Sequence, residues 1–157
     1  MTKAISPLVT ALGMEPHPEG GWYKEMWKAH FQIPKPVLPD VYSGPRFAAS
    51  STYFLLHPGE FSEWHVVHSD ELWMYHSGSP VELKLGGSGE QPGEETVIIV
   101  GADVEAGQHP QALVPGTVWQ TARPLGDEPV LVTCVVAPGF HFDDFKLIAK
   151  GTTGPTE

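Results

Sequence analysis

From residue 47 onward the chain alternates between short apolar runs and clusters of Gly, Pro, Ser and Asp. The runs are FAASSTYFLL (47–56), EWHVV (63–67), ELWMYH (71–76), VELKL (81–85), TVIIV (96–100), QALV (111–114), VWQTA (118–122), VLVTCVV (130–136) and FKLIA (145–149). Their length, their β-branched and aromatic content and the turn formers between them predict β-strands at near-regular spacing, hence an all-β barrel or sandwich. Upstream, HPEGGWYKEMWKAHF predicts an edge strand after a Gly-Gly turn, and Pro34, Pro36, Pro39 and Pro45 mark a surface loop. Residues 1–13 predict one short helix. Ser6 can cap it, Pro7 suits its first position, Leu8, Val9 and Leu12 make an apolar face, and Gly13 can close it. GGSGEQPGEE (86–95) reads as a flexible hairpin tip and GTTGPTE (151–157) as a mobile tail, leaving one domain over residues 1–150.

Period-two alternation assigns faces to the strands. His65 and Val67 share one face, as do Glu71, Trp73 and Tyr75, and Ser51, Tyr53 and Leu55. Val118 and Gln120 share another near the opposite rim. Turned inward, these faces would give an interior of His, Glu, Gln, Tyr and Trp, which suits a small-molecule cavity better than a plain core.

The 157 residues carry 41% apolar side chains, 17 Gly and 16 Pro, a composition for one globular core rich in turns. Net charge is −10 with scattered cations, which excludes nucleic acid and anionic membrane surfaces as expected partners. No run approaches the roughly 18–20 apolar residues of a membrane span, and no basic leader precedes an apolar one, so a soluble cytoplasmic protein is expected. The single cysteine, Cys134, lies in an apolar run and reads as a buried core thiol rather than a nucleophile.

The segment GEFSEWHVVHSDELWMYHSG (59–78) carries the chemistry. It puts His65 and Glu71 on adjoining antiparallel strands across a tight polar turn, which builds either a metal site or an acid–base pair. The spacing resembles the first motif of the cupin superfamily, G-x5-H-x-H-x3-E-x6-G. Gly59, His65, Glu71 and Gly78 match, and Val67 stands where the second His is expected. VPGTVWQ (114–120) resembles the end of the second motif, with Gln120 in place of a His. HPEGGWYKE (17–25), STYFLL (51–56), SDELW (69–73), VPGTVWQ and VAPGFHFDDF (136–145) are similar to blocks of the DUF985 branch, over roughly residues 10–148. The resemblance implies a double-stranded β-helix jelly roll, usually a homodimer, and puts the Glu19 block near the cavity mouth. The chain departs from that branch at Met74 and His141.

Three readings of the cavity follow. In the first, His65, Glu71 and Gln120 hold a divalent metal, with Mn, Fe, Ni or Zn suited to imidazole and carboxylate. In the second, His65 and Glu71 transfer protons without metal, with Tyr53 or Tyr75 as the acid, in an isomerase, epimerase or lyase reaction. In the third, Trp73, Trp119, Tyr53 and Tyr75 stack on a small molecule, and His65 and Glu71 hydrogen-bond it, without turnover. Ser51, Gln120 and Glu19 complete the expected ligand-contacting set. No organic cofactor is indicated. Arg46 and Arg123 are read either as anion-binding groups or as members of surface ion pairs. His17, His30, His57 and His109 read as surface residues, and His76 as structural.

Overall fold

The computed structural model describes residues 4–149. The 151–157 tail and residues 1–3 of the predicted helical segment lie outside the described residues. After helix α1 (Pro7–Ala11) come the strands β1 (Glu15–Pro16), β2 (Trp22–Lys28), β3 (Gln32–Ile33), β4 (Arg46–Phe47), β5 (Ser50–Leu56), β6 (Ser62–Val67) and β7 (Asp70–Ser77). They are followed by β8 (Val81–Leu85), β9 (Thr96–Val100), β10 (Gln111–Val114), β11 (Gln120–Pro124), β12 (Val130–Ala137) and β13 (Phe145–Leu147). Two antiparallel sheets, ordered β1-β2-β5-β12-β7-β10 and β13-β6-β11-β8-β9, face each other as the expected jelly-roll sandwich. β3 and β4 form a separate two-stranded sheet.

The main core lies between the sheets. Phe54 and Leu56 of β5, Trp73 of β7, Val81 and Leu83 of β8, and Val130 and Val132 of β12 are buried together there. A fully buried aliphatic side chain of this size stabilises the fold by about 1.5–3 kcal/mol. A second cluster lies outside the six-stranded sheet, where Val9 of α1 and Met14 cover Leu55 and Leu131, with Leu8, Leu12, Trp22 and Tyr53 around them. A five-residue helix is too short to stand alone in water. It forms here because Ser6 Oγ accepts the Leu8 N–H at 3.2 Å, Pro7 presets the first turn, and its apolar face lands on Leu55.

That covered outer face corrects one face assignment. Thr52, Phe54 and Leu56 point into the sandwich, while Ser51, Tyr53 and Leu55 point outward toward α1. Both faces of β5 are buried, so apolar alternation does not identify the inner one.

A second correction concerns β6 and β7. They are consecutive but not hydrogen-bonded neighbours: β6 pairs with β11 and β13, and β7 with β10 and β12. The Val67–Asp70 corner therefore carries the chain from one sheet to the other, and His65 and Glu71 line the same interior from opposite walls. The motif glycines serve turns at the two ends of this unit. Gly59 and Gly78 have φ of 88° and 91°, and a Cβ on Gly78 would run into the Pro129 carbonyl.

Candidate active site

A cavity of about 440 Å³ opens between the sheets, in the ordinary range for small-molecule sites. His17, Glu19, His65, Glu71 and Cys134 bring polar atoms to it, and Phe54, Val67, Trp73, Val136, Phe140 and Phe142 form apolar walls.

His65 comes from β6 and is 2% exposed. Its Nδ1 donates to the Glu63 carbonyl at 2.7 Å, which fixes the tautomer and leaves Nε2 as the basic nitrogen. That nitrogen lies 3.3 Å from Glu19 Oε2. Glu19 reaches inward from the turn after β1, and Ser62 Oγ donates to the same oxygen. Burial pushes the Glu19 carboxyl from its usual 4.5 up to about 8, against the Ser62 hydrogen bond. Burial also lowers the His65 pKa, although Glu71 and the Glu63 carbonyl oppose the shift. The contact at neutral pH is therefore between a carboxylic acid and a neutral imidazole, since separating charge here would leave two ions poorly solvated.

His17 completes this end. Its Nδ1 accepts the Glu19 N–H at 3.1 Å and lies 3.2 Å from Glu19 Oε1. Burial, with His65 nearby, pulls its pKa down to about 4. The ring stands edge-on to Tyr23, 4.6 Å between centroids.

Glu71 enters from β7. Burial raises its pKa, against the His65 interaction and hydrogen bonds with Gln120 and Cys134. Trp73 Nε1 donates to Gln120 Oε1 at 3.1 Å, and Gln120 Nε2 donates to Glu71 Oε1 at 2.7 Å. Indole N–H can only donate, so it fixes the orientation of the Gln120 amide. Cys134 faces Glu71 as a thiol, its pKa raised well above the ordinary value by burial and then by Glu71.

The structure thus gathers His65, Glu71, Trp73 and Glu19 around the cavity, with Gln120 behind Glu71 as a buttress. Other expected site residues lie elsewhere. Tyr75 donates its hydroxyl to the Gly78 carbonyl at 2.5 Å and packs against the core. Trp119 donates to the Gly89 carbonyl at 2.9 Å beneath the hairpin tip. Ser51 and Tyr53 take the outer side of β5, as described. His17 is not a surface residue, and neither is His57, which accepts the Ser6 N–H at 2.8 Å while 6% exposed. His141 lies at the cavity mouth, and His76 contacts Thr133 Oγ1 at 2.5 Å on the outer face.

The arginines also separate. Arg46 forms neither an anion site nor a surface pair. Its Nε and Nη2 donate to the two oxygens of Asp144, each at 2.8 Å, with both side chains buried. Arg123 pairs with Glu82 at 2.9 Å near the surface.

The donor set does not fit the expected metal. Val67 offers no ligand, Gln120 turns its oxygen to Trp73 and its N–H to Glu71, and among the described residues no three His, Cys, Asp or Glu gather for one ion.

His17 and Cys134 were the main polar residues not assigned to the cavity from sequence. The only sequence signal for His17 was its place in the HPEGGWYKE block. Cys134 lies in the core, as its apolar run predicts, and also lines the cavity.

A family profile described as the cupin superfamily (DUF985) matches residues 6–148. No curated protein matches the sequence. A hypothetical protein from Leishmania major is 31% identical, with 90% of this chain and 85% of that one covered and a TM-score of 0.77. A protein from Shewanella oneidensis is 34% identical, with 90% and 82% covered and a TM-score of 0.78. A structure of Bacillus subtilis oxalate decarboxylase, studied for its Mn(II) centres, shares the fold at 17% identity and a TM-score of 0.55. It covers 87% of this chain but 30% of that one.

Proposed function

The chain belongs to the DUF985 family of the cupin superfamily, and on that premise we propose that its cavity is the active site of a small-molecule isomerase, epimerase or lyase working by proton transfer. One observation carries this reading: the buried Glu19 carboxyl, its pKa raised to about 8, lies 3.3 Å from Nε2 of His65 on the lining of the cavity. An acid and a base, both uncharged near neutral pH, are the pair needed to enolise a carbonyl compound.

In this mechanism the substrate carbonyl enters from the cavity and displaces the 3.3 Å contact, so that its oxygen faces Glu19 and its neighbouring C–H faces His65. His65 Nε2 removes the proton from the carbon next to the carbonyl. The C–H electron pair becomes the C=C bond, the carbonyl π pair moves to oxygen, and that oxygen takes the proton of Glu19. For epimerisation, a proton from water is delivered to the opposite face of the carbon as the enol proton returns to Glu19, and His65 releases its proton to water. For elimination, the enol proton returns to Glu19, the C=C pair shifts to the next bond and expels the β-leaving group, and that group takes the proton from His65. Glu63 holds the His65 tautomer, and the Trp73–Gln120–Glu71 chain supports the far wall. Glu71 interacts favourably with the imidazolium as it forms.

The test is exchange of substrate C–H for deuterium in heavy water, followed by proton NMR across a panel of enolisable carbonyl compounds. Wild type should exchange at least one of them, and His65→Ala should lower the rate by about 10²–10⁴-fold. Glu19→Gln should lower kcat while circular dichroism is unchanged. Exchange that persists in His65→Ala would remove this mechanism. The rate should also fall as pH rises through about 8, where Glu19 ionises.

A ligand-binding cupin without turnover is favoured by one feature: Glu19 and Glu71 already have hydrogen-bond partners in Ser62 and Gln120. Binding without exchange would support it. We also propose a cytoplasmic homodimer, with the exposed Met26 and Trp27 of β2 at its interface, which sedimentation of the purified protein would test.

A further inference from the structure

Resting on the proton-transfer reading of the same cavity, we infer that its substrate is an uncharged carbonyl compound with an apolar ring or chain, rather than a sugar, a nucleotide, a phosphate ester or a dicarboxylate. The separation of polar and apolar lining points to this class. His17, Glu19, His65 and Glu71 lie together, with Thr52 and Cys134 also on the lining. Phe54, Val67, Trp73, Val136, Phe140 and Phe142 make most of the remaining wall, with Tyr23 and His141 among them.

A polyhydroxylated ligand would lay most of its hydroxyls on apolar wall without partners, and each unpaired buried hydroxyl costs about 1–3 kcal/mol. An anion would fare worse. Among the described residues no arginine lines the cavity. Arg46, whose fork would suit a carboxylate or phosphate, has Nε and Nη2 on Asp144 and Nη1 on the Pro45 carbonyl. The lysines of the lining, Lys24 and Lys28, are exposed residues of β2 accompanied by Glu15 and Glu25, and Lys28 Nζ lies 3.4 Å from Glu25 Oε1. The buried groups add no positive charge, because His17 and His65 are held neutral and Glu19 protonated. A single carbonyl at the head of an apolar body satisfies this arrangement. Its oxygen meets the Glu19 acid, and the remainder lies against the aromatic walls.

Isothermal titration calorimetry of the full chain at pH 7 tests the inference with three probes: 4-phenyl-2-butanone, its carboxylate analogue 2-oxo-4-phenylbutanoate, and fructose. The ketone should bind at least tenfold more tightly than either of the others. Phe142→Ala, which trims a half-exposed wall residue, should weaken the ketone several-fold. Equal or tighter binding of the carboxylate or of fructose, or no binding of the ketone, overturns the inference. Deuterium exchange measured on the same samples separates the two readings. Ketone binding without exchange would leave the ligand class standing and count against proton transfer for that ketone. Exchange in fructose or the carboxylate alone would preserve proton transfer and overturn the ligand class.

Discussion

Arg46 with Asp144, and His65 with Glu19, are two buried pairs of ionisable groups that solve burial in opposite ways. Arg46 is 4% exposed and Asp144 2%, and the guanidinium meets the carboxylate through two hydrogen bonds of 2.8 Å. Arginine cannot discharge, so its burial requires a fixed counter-ion. His65 and Glu19 meet through one contact at 3.3 Å, and each escapes the desolvation cost by becoming neutral. The first pair joins β4 to the turn before β13. The second leaves an acid and a base available to a ligand. Burial alone therefore does not make a site; the second pair differs in that its groups can exchange a proton and lie on the lining of a cavity.

The sharpest way to break the comparison is Asp144→Ala. It leaves the Arg46 guanidinium buried without its partner and should cost about 3–5 kcal/mol in urea unfolding. A loss below about 1 kcal/mol would mean that water replaces the carboxylate and that the pair is not a dry one. Gln120→Leu should cost less, about 1–3 kcal/mol, because the Trp73 N–H and the Glu71 oxygen lose their shared partner. The same unfolding experiment measures it.

Changing the pH acts on the neutral cluster selectively. Glu19 has its pKa raised from 4.5 to about 8 in the folded state, so its stabilising contribution is complete below 4.5 and declines as pH rises toward 8. The slope for this group approaches about 1.4 kcal/mol per pH unit within that window. His17 has the opposite sign: lowered from 6.5 to about 4, its contribution is present above 6.5 and is lost as pH falls toward 4. Glu19→Gln should remove the Glu19 slope. At pH 5, where Glu19 is already largely neutral when folded, that substitution should change stability by less than about 1 kcal/mol. A large loss at pH 5 would mean that the carboxyl is buried as an ion.

Much of the fold was legible because turn residues punctuate it. Gly78 and Pro80 end β7 and open β8, and both of those strands fall within one residue of their predicted bounds. Ser6, Pro7 and Gly13 likewise marked α1. The direction of β5 was not legible, since Leu55 under α1 is as apolar as Phe54 in the core. Tyr75 illustrates a different limit. Alternation placed it correctly on the face of Glu71 and Trp73, but its hydroxyl is spent on Gly78 and it does not line the cavity. The HPEGGWYKE block points to Glu19, while its proposed role as an acid beside His65 depends on a contact between residues 46 positions apart.

The sequence by itself determined the strands, the capped helix, the family and the pairing of His65 with Glu71 on one interior. Local physics suffices for these, because propensity, turn chemistry and motif spacing act over a few residues. Only the tertiary structure decided that His65 and Glu71 stand on opposite sheets, that His17 and Glu19 join them, and that Gln120 is a buttress. Those outcomes depend on which surfaces are desolvated when the sheets close. That burial is what makes Glu19 an acid and leaves His65 a base.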